Sequence, residues 1–98
     1  GMGLALWEGR VMDTTLGVMT NDSFLDYKIP GNFEMPELVP IIDDGDPREN
    51  VVGMAEPCCI PTPGAIANAV FNATGLRIRS LPITPDKILM ALNASAKV

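Results

Sequence analysis

A threonine–proline pair at positions 62 and 63 and a glycine at 75 delimit the most strongly signalled element of this chain. Thr62 can cap free helix amides, Pro63 suits the first helical position because it has no N–H to leave unpaired, and Gly75 suits the left-handed turn that ends a helix. Between them Ile66, Ala69, Val70 and Ala73 recur at i, i+3, i+4 and i+7, which predicts one apolar face. Asn68 and Asn72 fall one turn apart, off that stripe. Gly64, Ala65, Ala67 and Ala69 are small enough to let another backbone come close. The helix N-terminus aims free amides back at the preceding loop, where an anionic group such as a phosphate could be held.

That loop, Gly53-Met54-Ala55-Glu56-Pro57-Cys58-Cys59-Ile60-Pro61, holds one carboxylate among apolar and small residues. A carboxylate so placed finds a partner, stays in water, or has its proton affinity raised by desolvation, and the last outcome suits a general base at neutral pH. Glu56 is therefore the candidate catalytic residue. A solvated bend is the alternative. Cys58 and Cys59 are adjacent, which disfavours a disulfide between them, and without histidine they cannot complete a four-ligand zinc set. The pair is expected to be buried as small apolar groups lining a pocket; a thiol redox role is a weaker alternative. No metal ligand is assigned.

Ninety-eight residues make one small domain or part of a larger one, with little core to spare. The hydrophobic fraction is 47% and the charged fraction 19%, below the ~25% usual for soluble domains. Such a balance implies a surface that is partly covered. Net charge is −5 with no histidine and no basic run, so a nucleic-acid or anionic-membrane partner has no electrostatic footprint. No apolar run is long enough to span a bilayer and no signal peptide is evident, so a cytoplasmic location is expected. Gly1-Met2 looks like a cloning remnant.

Along the chain, Leu4-Ala5-Leu6-Trp7-Glu8 reads as the last turns of a helix whose beginning is absent, closed by Gly9. Arg10-Val11-Met12-Asp13 is extended, and Thr14-Thr15-Leu16-Gly17 is small and polar. Phe24-Leu25-Asp26-Tyr27-Lys28-Ile29-Pro30 is expected to be a strand or an irregular crossing, with Phe24 and Tyr27 packed, and Pro30-Gly31-Asn32 turns the chain. Pro36 and Pro40 make the region through Ile41-Ile42 an edge strand. Asp43-Asp44-Gly45-Asp46-Pro47-Arg48-Glu49-Asn50 is a charged loop without calcium-loop spacing. Leu76-Arg77-Ile78-Arg79-Ser80-Leu81 alternates with a period of two, as a half-buried strand does. Thr84-Pro85-Asp86 opens a final helix buried through Ile88, Leu89 and Leu92. The fold class is α+β, a small mixed sheet with two or three helices.

Three blocks then carry a resemblance: Asn21 with residues 24–30; Gly53-Met54-Ala55-Glu56-Pro57 leading into Ala65-Ile66-Ala67-Asn68-Ala69; and Ala73-Thr74-Gly75 running through Leu76-Arg77-Ile78-Arg79-Ser80-Leu81-Pro82-Ile83-Thr84-Pro85-Asp86-Lys87-Ile88-Leu89. The chain resembles the C-terminal end of the molybdenum-cofactor-binding large subunit of the xanthine dehydrogenase and aldehyde oxidase family, the molybdenum hydroxylases. On this resemblance residues 3–98 are the C-terminal portion of a molybdopterin-binding domain whose N-terminal part is missing.

The resemblance implies that Glu56 faces the molybdenum and acts as general base in hydroxylating a small aldehyde or N-heterocycle, with water as oxygen source. It implies a molybdenum-pterin cofactor in the full enzyme, approached by the Ala55 backbone, with iron–sulfur clusters and FAD on other domains or subunits. Its partners would be the rest of the molybdenum-binding subunit and iron–sulfur and flavin subunits. The isolated chain is expected to carry no cofactor, to be inactive and to self-associate. Ala55 stands where the family commonly has glycine, Val52 where lysine is frequent, and Cys58-Cys59 where proline or another apolar residue often lies. These departures support an alternative, a non-catalytic assembly module of the same fold.

Overall fold

In the computed structural model, which describes residues 1–42, 45, 47 and 55–96, three helices and one two-stranded antiparallel sheet form an α+β arrangement. The helices are α1 (Met2–Leu6), α2 (Thr62–Thr74) and α3 (Pro85–Ser95); the strands are β1 (Met12–Asp13) and β2 (Val18–Met19). The sheet is purely antiparallel rather than mixed. Met12 faces Met19 and Asp13 faces Val18. The reason is local: the Asp13 carboxylate accepts from the amides of Thr15 and Leu16, and Gly17 takes φ 69°. An Asx-type turn followed by a left-handed glycine closes a hairpin without needing any distant partner.

Asn21 locks the base of this hairpin. It is buried, its Oδ1 accepts from the Val11 amide at 2.8 Å, and its Nδ2 donates to the Gly9 carbonyl at 2.7 Å. One side chain thus supplies a donor and an acceptor just beyond the last cross-strand bond, from the Thr20 amide to the Val11 carbonyl at 2.8 Å.

Several expected elements take a different form. Helix α1 closes at Leu6, with Trp7 and Glu8 both donating to the Gly3 carbonyl, three residues before the glycine expected to cap it. The 24–30 stretch is no strand: Asp26 and Tyr27 donate back to the Ser23 carbonyl, and Phe24 is 88% exposed rather than packed. The turn after it is present, with Glu34 accepting from Gly31 and from Lys28 at 2.7 Å. Residues 76–79 keep the expected alternation, Leu76 and Ile78 half-buried and Arg77 and Arg79 exposed, but pair with no strand among the described residues. Arg77 instead stacks over the Phe71 ring at 3.6 Å and donates to Asn68. Most of the 43–54 stretch, including Val51-Val52 and the charged loop, lies outside the described residues.

Among the described residues only Ala5 and Ile83 form a fully buried apolar core, joined by a 2.6 Å bond from the Ile83 amide to the Ala5 carbonyl. The radius of gyration is 17.7 Å, against about 13 Å for a compact chain of this length. The chain exposes 8342 Å², where a compact chain of its mass would expose roughly 5,400 Å². Nearly all its large apolar side chains therefore meet water.

Two outcomes follow. Asn21→Ala leaves the Val11 amide and Gly9 carbonyl unpaired, so it destabilises the hairpin by about 1–3 kcal/mol and speeds exchange of the Val11 amide; an unchanged exchange rate would contradict the clamp. The isolated chain self-associates through its bare apolar surface, so its scattering mass rises with concentration, and a monomer throughout would refute this.

Candidate functional site

Glu56 opens a 3-10 turn, Glu56–Cys58, that feeds directly into α2. Pro57 supplies a fixed φ without a donor to strand, so the chain turns immediately after the glutamate. The Glu56 carbonyl accepts from the Cys59 amide at 2.8 Å and the Ile60 amide at 3.3 Å. Its carboxylate is exposed and meets no hydrogen-bond partner among the described residues. Of the three outcomes open to it, the described residues leave it in water; they do not build a dry turn.

The helix behind it starts differently from expectation. Pro61 is the N-cap, Thr62 lies inside the helix, and its hydroxyl donates back to the Cys58 carbonyl at 3.4 Å. The Thr62 amide donates to the Cys59 carbonyl, so turn and helix are stitched into one unit. Gly75 closes α2 as predicted, at φ 73° and with its amide on the Phe71 carbonyl. The half-buried face runs through Pro63, Ile66, Ala67, Val70, Phe71 and Thr74, while Ala69 and Ala73 are exposed. The stripe is rotated because the Phe71 ring, larger than either alanine, takes the inner side. Helix α1 packs against α2.

Helix α3 shows the same effect. Thr84 is its N-cap but bonds the Asp86 side chain rather than a helix amide, holding that carboxyl below its usual range. Ile88 is half-buried, whereas Leu89 and Leu92 are exposed.

Cys58 and Cys59 are both free and exposed, not a buried pair. The tight turn points them outward, and the Cys58 thiol donates to the Ala55 carbonyl at 3.3 Å. Ala55 itself precedes the turn with φ −111° and ψ −103° and is exposed. Both cysteines line a cavity of about 330 Å³ beside Met2, Met35 and Thr62. Glu56 and Cys59 line a larger one of about 510 Å³ with Leu4, Glu8, Ile60 and Pro63.

Glu8 joins the site without any signal in its local sequence. It lies 48 positions from Glu56 in the chain, and only the α1–α2 packing brings both to one cleft. Its carboxylate accepts from the Tyr27 hydroxyl at 2.9 Å, which, with desolvation, raises the phenol above its ordinary range. Among the described residues no group of three or more histidine, cysteine or acidic side chains could hold a metal ion.

With this geometry in place, comparison with known proteins identifies the family. The chain is 41% identical to the aldehyde oxidoreductase molybdenum-binding subunit of Escherichia coli over 93 residues, 91% of this chain and 13% of that protein. It is 37% identical to the Escherichia coli xanthine dehydrogenase molybdenum-binding subunit over 91 residues, 90% of this chain and 12% of that protein. The nicotine 6-hydroxylase large subunit of Paenarthrobacter nicotinovorans is 31% identical over 93% of this chain and 12% of its own length. No family model matches. The chain belongs to the xanthine dehydrogenase and aldehyde oxidase family. It spans about an eighth of the length of the curated relatives it matches. Among the described residues no helix is long and apolar enough to cross a membrane.

The Tyr27–Glu8 contact gives a test of the cleft. A phenol raised in the folded state contributes stability below its unfolded value and loses it as pH rises through the folded value. Glu8→Ala lowers the Tyr27 midpoint toward that of free tyrosine; because the chain has one tyrosine, ultraviolet titration reads it directly. An unmoved midpoint would break the link.

Proposed function

We propose that this chain is the C-terminal portion of the molybdenum-binding subunit of a molybdenum hydroxylase, and that Glu56 is its catalytic base. The observation that carries this is the free carboxylate of Glu56, presented at the start of a hydrogen-bonded turn–helix unit on a cleft of about 510 Å³. Relatives named as molybdenum-binding subunits match over nine-tenths of the chain. The substrate class is a small aldehyde or N-heterocycle, with water as oxygen source, and the enzyme is cytoplasmic.

When bound, the molybdenum-pterin cofactor supplies the two-electron chemistry. The chain's own residues do the rest. Ala55 presents backbone to the cofactor, Pro57 and the bonds onto the Glu56 carbonyl fix the direction of the side chain, and Glu56 accepts a proton at a carboxylate oxygen as the oxygen nucleophile forms. Filling the cleft excludes water, and a carboxylate out of water is the stronger base. The pterin cradle belongs to the remaining polypeptide, and iron–sulfur clusters and FAD to other domains or subunits. Alone, the 98-residue chain is inactive and binds no cofactor.

A second use of the same fold, as a non-catalytic assembly module, is favoured by the methyl group at Ala55, where the family commonly has glycine. One substitution separates the two. In the complete holoenzyme Glu56→Gln keeps the cofactor, measured as bound molybdenum, and lowers turnover by ~10²–10⁴-fold. Near-normal turnover with molybdenum retained would assign the module instead.

A further inference from the structure

We propose that residues 38–42 are an edge β-strand added to a sheet of the remaining polypeptide of the molybdenum-binding subunit, paired through the amides of Val39 and Ile41 and covered on both faces. This rests on the chain being one portion of such a subunit. From residue 35 to 42 the backbone has no helix, turn or bend, and among the described residues it makes no backbone hydrogen bond. Consecutive side chains of such a backbone point to opposite sides. Leu38 and Ile42, 67% and 87% exposed, lie on one side; Val39 and Ile41, 72% and 89% exposed, lie on the other.

A strand with one wet face alternates apolar and polar residues, whereas a run apolar on both sides is that of a strand covered twice. A second copy joined through a self-complementary patch would cover one face and leave the other bare. The amount of surface points the same way. The chain's 8342 Å² exceeds that of a compact chain by about 3,000 Å², well above the roughly 800 Å² per partner of an ordinary complex. Relatives that include this stretch carry it within polypeptides of which the chain spans only 12–13%. The occupant is therefore the rest of that polypeptide.

Pro40 fixes which edge pairs. Backbone donors alternate along a strand, so residues 38, 40 and 42 direct theirs to one edge and residues 39 and 41 to the other. Pro40 has no donor, and a proline inside a strand keeps its empty side on an open edge. Pairing thus uses Val39 and Ile41, while Leu38 and Ile42 direct their amides outward.

Hydrogen exchange resolved to single amides, comparing this chain alone with the complete subunit, tests the proposal. In the complete subunit Val39 and Ile41 are expected to exchange ~100-fold or more slowly than in the chain alone, with Leu38 and Ile42 slowed far less. Exchange of all four at the rates of the isolated chain overturns the strand, and equal slowing of all four overturns its place at an edge. The alternating pattern appearing in the chain alone assigns the partner to a second copy and overturns the occupant. Ile41→Lys and Ile42→Lys sit on opposite faces, and in the complete subunit each is expected to reduce the yield of folded protein at least ~10-fold; a normal yield of either variant shows an open face and overturns double coverage. Unprotected amides in an enzyme inactivated by Glu56→Gln would sink the strand alone, and protected amides with turnover surviving that substitution would sink the catalytic role alone.

Discussion

A single backbone hydrogen bond, from the Ile83 amide to the Ala5 carbonyl at 2.6 Å, joins the two apolar residues that are fully buried among the described residues. Around it the N-terminal helix, the turn before α3 and, through α1–α2 packing, the Glu56 cleft take their places. Lys87 reinforces the same spot by donating to the Pro82 carbonyl at 2.7 Å. Two buried residues cannot offset the conformational entropy of ordering about a hundred, which costs on the order of 1–2 kcal/mol each for backbone alone. Local devices do the remaining organisation: an Asx turn in the hairpin, the Asn21 clamp, a left-handed glycine after α2, and the stacking of Arg77 over Phe71. Each closes within about a dozen residues of sequence.

That division explains what could be read from the sequence. Elements set by local chemistry were legible: α2 ends at Gly75 and α3 begins after Thr84 because glycine and the Thr-Pro pair act on their own backbone. Features that need a neighbour were not. The period of two at residues 76–79 correctly gave which side chains turn inward, but no strand pairs with them among the described residues. Val18-Met19 is too short to signal a strand, and becomes one only because the Asp13 turn folds it onto Met12. The packed stripe of α2 is turned by one position from the alanine spacing, because the Phe71 ring decides which side packs.

At the site, Glu56 stood out as a solitary carboxylate beside a proline, and the structure sets it on a cleft wall. Glu8, which lines the same cleft, carried no sequence signal at all, being brought there by helix packing. The cysteines followed composition into an expected burial that a 3-10 turn does not permit.

The stitching of the Glu56 turn to α2 makes the helix a lever arm for the carboxylate. Bonds from Cys59, Ile60 and Thr62 join the two, and Phe71, about 14 Å along the helix from Thr62 by helical rise, lies beneath the Arg77 guanidinium. A small tilt at that distant bearing swings the acidic tip sideways, so the direction of the Glu56 side chain depends on an aromatic ring and an arginine that do not touch it.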